Sequence, residues 1–166
     1  MFGNIQRTPK FDPGISQRYR MAAKWTLDMA AMQEEFFADA ALIGMVSTLP
    51  ASRLCWLLNN RFDIHFTRRP DMDICLQKSP AKQHYFSIYE YNIPLSETRY
   101  LLYKLKSSTE ALLPELKQLD YLWMIQSSCA ESDAAAFTAW LRDMPEIQLA
   151  QTITPDRLKN ISHLLL

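Results

Sequence analysis

Three glycines in 166 residues, Gly3, Gly14 and Gly44, none of them near another, exclude the loops that cradle phosphate. The Walker A loop and the dinucleotide fingerprint both need clustered glycines, so that backbone can approach a phosphate closely. A classical nucleotide-binding enzyme is disfavoured. Cysteine is scarce too. Cys55, Cys75 and Cys129 are odd in number and widely spaced, unlike the even, tightly spaced sets of secreted disulfide frameworks. They fit a reducing cytosol, each thiol acting as a small buried apolar residue.

Histidine is limited to His65, His84 and His163, and no H-x-x-x-H, H-E-x-x-H or C-x-x-C spacing occurs. Local metal nests are built on such spacings, so no metal and no cofactor are expected. There is no G-x-S-x-G elbow, and no residue is assigned a catalytic role. Charge of one sign is not in excess: eighteen Lys and Arg balance eighteen Asp and Glu, and no net charge draws the chain to nucleic acid or anionic lipid. Apolar runs such as Leu122–Ile125 are far too short to span a bilayer. The first fifteen residues hold Arg7 and Lys10 but no apolar stretch, so they do not read as a secretory signal. The expectation is a cytoplasmic protein with no membrane partner.

What is present is globular in character: 48% hydrophobic and 22% charged residues, at a length that suits one domain. Residues 1–20 carry Pro9, Pro13, two glycines and four basic side chains without a sustained period. They read as a flexible basic leader, and residues 21–166 as a single domain. After the leader, Lys24–Leu27 reads as a short strand or a helix start. Asp28 is a candidate N-cap for an amphipathic helix with Met29, Met32, Phe36 and Phe37 on its docked side. A longer helix from Met21, with Trp25 on its stripe, fits nearly as well.

Alternation marks the strands. Ala40–Val46 is continuously apolar, as a buried strand requires. Ser52 opens a helix whose apolar face includes Leu54, Trp56, Leu57 and Leu58, with Trp56 read as core. Ile64–Arg69 and Met72–Leu76 alternate around Pro70. His84–Tyr91 and Thr98–Lys106 alternate again and predict an antiparallel hairpin. Asp120–Ile125 is apolar on both sides and therefore central. A helix capped by Asp133 follows, with Phe137, Trp140, Leu141 and Met144 facing the core. Ile147–Ile153 completes a strand–helix–strand unit, one reading of which is a crossover between neighbouring parallel strands. The expected fold is α+β, a mostly antiparallel sheet of five to seven strands with helices packed largely on one face.

Three constellations carry polar chemistry. Arg68 and Arg69, with His65 on the same strand, are candidates for holding a phosphate or carboxylate through their forks. The same arginines also suit a solvated strand end paired with Asp71 and Asp73. Tyr85, Tyr89 and Tyr91, with Tyr100, Lys104 and Lys106 across the hairpin, place stacking rings beside positive charge, as single-strand RNA readers do. A tyrosine face packed under a helix accounts for the same pattern. Arg53, Trp56 and Asn59 recur at one-turn spacing on a helix, the residue types that anchor partner interfaces.

The stretch Leu113–Tyr121, L-P-E-L-K-Q-L-D-Y, resembles the signature of the IPExxxVDY family of uncharacterised bacterial proteins. Pro114, Glu115, Asp120 and Tyr121 match its fixed positions, while Leu113 and Leu119 stand for isoleucine and valine. Glu35-Phe36-Phe37, Leu42-Ile43-Gly44, Arg53–Asn59, Tyr89-Glu90-Tyr91 and Lys159-Asn160 are similar to the same family. The resemblance implies a small cytoplasmic bacterial protein and implies no reaction. The signature has two physical readings: a turn, in which Pro114 fixes φ and Asp120 binds local backbone, or a ligand or partner site.

The function expected from these observations is a non-enzymatic interaction or accessory protein, docking an unidentified protein or a second copy of itself. RNA association through the tyrosine–lysine hairpin is one alternative. A small-molecule or enzymatic pocket beside Glu115 and Asp120 is another.

Overall fold

The computed structural model describes residues 28–166. The expectations for the leader, for Lys24–Leu27 and for a helix beginning at Met21 fall outside or partly outside those residues. The chain divides into two compact units, Met1–Glu34 and Glu35–Leu166. Of the first, residues 28–34 are described and are helical, with Met29 and Met32 exposed rather than docked.

The second unit is built on a six-stranded sheet in the order β2-β5-β6-β7-β1-β8. Its strands are β1 (Ala40–Val46), β2 (Thr67–Arg68), β5 (Ile88–Asn92), β6 (Arg99–Lys104), β7 (Tyr121–Gln126) and β8 (Leu149–Ile153). Every neighbouring pair is antiparallel. A separate two-stranded sheet joins β3 (Ile74–Ser79) to β4 (Lys82–Phe86). The molecule is thus α+β.

β1 and β7 lie at the centre because their side chains are apolar on both faces and both faces are covered. On one face Ile43, Met45, Leu102, Trp123 and Ile125 pack under the helices α1 (Ala51–Phe62) and α2 (Ala130–Arg142). The opposite face carries Leu42, Leu101, Tyr103, Leu122 and Met124, and Phe36 and Phe37 pack against it. Its cover is irregular: Phe86 and Leu76 of the small sheet, Leu105–Leu119, and the C-terminal Leu158 and Leu164. Gly44 lets that cover close down. A Cβ there would stand 2.3 Å from Leu119 Cδ1 and 2.7 Å from Ile153 Cδ1.

Several local expectations are corrected. β7 and β8 do run parallel, but β1 lies between them, hydrogen-bonded to both. The crossover therefore spans an intervening strand. Residues 84–91 do not form one strand. The chain leaves the small sheet after Phe86 and joins β6 at Ile88. The strand expected over residues 64–69 shrinks to Thr67–Arg68, because Pro70 starts a single turn of 3₁₀-helix. Helix α2 begins at Ala130, one turn before Asp133, whose carboxylate accepts the Ser127 hydroxyl at 3.1 Å. Only Cys55 is buried, and burial pushes its thiol up to about 12; Cys75 and Cys129 are exposed.

Candidate interaction surfaces

The nonapeptide ties three distant segments together. Pro114–Leu116 forms one 3₁₀ turn, and Glu115 accepts the Asn160 backbone N–H at 2.8 Å and its side-chain amide at 2.9 Å. Asp120 accepts the Ser47 N–H at 3.0 Å and Lys106 Nζ at 2.7 Å. Tyr121 donates its hydroxyl to the Leu49 carbonyl at 2.6 Å. Burial, and then the neighbouring Asp120 charge, push that phenol up to about 12, so it remains a donor at neutral pH. Both carboxylates accept backbone N–H groups. Glu115 also lines a cleft of about 290 Å³ that Asp120 does not reach.

Burial of Glu115 works against its ionisation, but the Asn160 hydrogen bonds outweigh it and hold the carboxyl below the usual range. A depressed folded-state value contributes stability above the unfolded carboxylate range. That contribution disappears as pH falls through the folded value. Asp120→Ala leaves the buried Ser47 N–H without its acceptor, a loss of about 1–3 kcal/mol in urea unfolding. Asp120→Asn keeps an oxygen for Ser47 and is expected at the lower end of that range.

The arginine forks are occupied from within. Arg68 meets Asp73 with both terminal nitrogens at 2.5 Å, and Arg69 meets Asp71 at 3.2 and 3.0 Å. Arg69 also donates to Glu90, which accepts Arg99 Nε at 2.7 Å from the other side. Glu90 is buried at mid-strand in β5, which sequence reasoning missed. Its place between two arginine-bearing strands depends on sheet order, which no local pattern encodes. His65 does not join these forks; its ring meets Tyr91 edge-on at 5.7 Å.

The tyrosines are divided between surfaces. Tyr85 is exposed on β4 of the small sheet. Tyr89 and Tyr91 are half-buried against the helix-side core, where Tyr91 packs at 6.1 Å on the buried Tyr100. Lys106 is held by Asp120, while Lys104 is exposed.

The helix layer presents the exposed aromatics. Trp56, expected in the core, is 58% exposed on α1 with the Arg53 guanidinium 5.4 Å above its ring. Asn59, one turn on, faces inward: its amide accepts the Phe66 N–H at 2.8 Å and donates to the Phe66 carbonyl at 3.2 Å. It therefore pairs with Phe66 as another strand would. Trp140, also expected in the core, is 50% exposed on α2. It stacks beside Phe62 at 6.0 Å and Phe137 at 5.6 Å, and Phe137 reaches the fully buried Trp123 at 4.6 Å. Phe62 escaped the sequence reading and Trp140 was misplaced by it, because a helical stripe gives a face, not the depth of the neighbour it meets.

Among the described residues no group of three His, Cys, Asp or Glu side chains converges to hold a metal ion, and no helix is long and apolar enough to cross a membrane. No family model, curated protein or solved structure matches the chain.

Proposed function

We propose that the chain is a non-enzymatic interaction protein that docks a protein partner on its helix layer, with Trp56 and Trp140 as anchors. One observation carries this reading. The two helices covering the same sheet face each leave a tryptophan half in water, while Trp123, Tyr100 and Phe66 beneath them are buried. Tryptophan beside arginine is the commonest anchor chemistry of protein interfaces, because a large rigid surface is desolvated on docking. The arginine forks, each engaged by an acidic side chain, and the backbone-bound carboxylates leave the polar constellations little to offer a substrate. Membership of the IPExxxVDY family, bacterial origin and a cytoplasmic setting belong to this proposal.

The experiment is affinity capture from native cytosol with the tagged full chain, beside Trp56→Ala, Trp140→Ala and the double variant. A stoichiometric protein companion is expected, held at least about tenfold less by the double variant. A companion retained equally by all four chains, or none at all, overturns the reading.

A further inference from the structure

Two exposed charges sit at the wrong ends of their helices. Arg53 lies in the first turn of α1, a helix with no acidic residue, and Asp143 closes the C-terminus of α2. A helix favours anions at its N-terminus and cations at its C-terminus, so each charge works against the helix that carries it. Neither is in an ion pair among the described residues. Local rules broken without compensation inside the chain mark positions that function has set.

The two helices also differ in relief. Arg53, Trp56 and Asn60 share the outer side of α1 at helical spacing, and all three are exposed. Counting back from Asp143, the same span of α2 carries Ala139 and Ala136, with Trp140 on the flank. Ala139 is exposed and Ala136 half-buried. One ridge therefore holds a projecting indole, and the other holds small side chains that leave room for one.

We propose that the partner docked on the helix layer is a second copy of this chain, with α1 of each copy lying antiparallel on α2 of the other about a two-fold axis. Antiparallel pairing brings the N-terminus of one helix to the C-terminus of the other, so Arg53 meets Asp143 of the second copy. One turn inward, Trp56 covers Ala139 of the second copy and packs beside its Trp140. The two-fold repeats every contact. Each charge that its own helix disfavours then faces the opposite charge, and both tryptophans leave water together. A foreign partner would have to present an acid and a base, a recess and a knob, in matching order. A second copy supplies all four by symmetry. This inference rests on the helix-layer reading and names the partner it requires, so the companion captured from cytosol is the untagged chain itself.

Sedimentation velocity on the full chain over a concentration series tests it. Wild type is expected to dimerise reversibly. Arg53→Glu and Asp143→Arg each set like charges across the interface twice and should raise the dimer dissociation constant at least about tenfold. Each also places a favourable charge at its own helix end, so the urea midpoint of either variant, taken at monomer concentrations, should hold or rise. Mixing the two variants should restore the dimer, because every facing pair is then opposite in sign. Trp56→Ala should weaken it at least about tenfold. A wild type that stays monomeric, charge variants that do not recover on mixing, or a dimer indifferent to Trp56→Ala would each overturn the self-pairing. A foreign companion still captured through the two tryptophans would, in that event, leave the helix-layer reading standing.

Discussion

Trp123→Ala is expected to destabilise the second unit by about 3–5 kcal/mol, the range for removing a large aromatic from a packed core. Trp123 is fully buried and sits where Phe66, Tyr100, Phe137 and Phe62 converge, with ring centroids between 4.6 and 6.1 Å. No single neighbour can move into the space without abandoning another. The cavity should therefore persist and add its own cost to the lost transfer energy. Trp123→Phe separates two effects. It also shrinks the side chain, but it removes an indole N–H that has no hydrogen-bond partner among the described residues. An unsatisfied buried donor costs about 1–3 kcal/mol, so its removal offsets part of the lost packing. Urea unfolding followed by far-ultraviolet circular dichroism should place Trp123→Phe within about 2 kcal/mol of wild type. If phenylalanine proved as damaging as alanine, the indole nitrogen would have to be making a favourable contact.

Glu90→Ala should cost about 2–4 kcal/mol, somewhat below the 3–5 typical of breaking a fully buried pair. The carboxylate is only 7% exposed and lies between Arg69 and Arg99, themselves 40% and 29% exposed. Because both guanidinium groups still reach water, they recover part of the solvation that a sealed site would deny them. The damage should be local as well as global. β2 contributes two residues to the sheet, opposite Glu90 and Tyr89, and Arg69 binds both Glu90 and Asp71. Amide exchange is expected to accelerate over residues 67–73 before it does in β7. Glu90→Gln keeps the shape and one acceptor and should fall between the two. Salt should change the wild-type stability little, since a buried carboxylate is screened far less than an exposed one. Loss of the carboxylate without faster exchange in residues 67–73 would mean that β2 is held by its backbone alone.

Much of the architecture was legible because its causes are local. The strand pattern of residues 98–106 marked β6, whose middle residues Tyr100–Tyr103 are buried on both faces. Continuous apolarity over residues 40–46 and 121–126 marked the two central strands for the same reason, burial on both faces. Alternation was blind to the break at Ser87. Phe86 and Ile88 keep the same face across it, so the pattern survives while the hydrogen-bond partner changes from β3 to β6. Trp56 and Trp140 were misplaced for a related reason. Helical spacing says which residues share a face, but how far that face extends under its neighbours depends on the whole layer.

The nonapeptide shows the limit most clearly. Proline before a turn, two carboxylates and a tyrosine were visible at Leu113–Tyr121, and a turn reading followed from those residue types. Their partners were not visible: Asp120 meets Ser47 across 73 positions, Tyr121 meets Leu49 across 72, and Glu115 meets Asn160 across 45. Composition and periodicity thus determined the class of fold, the central strands and the absence of glycine-built nucleotide loops, because these depend on residue type and spacing alone. Strand order, the place of Glu90 between Arg69 and Arg99, and the half-exposed tryptophans were decided only by tertiary structure. Each is a relation between segments far apart in the chain, and burial or hydrogen bonding between such segments exists only once they have met.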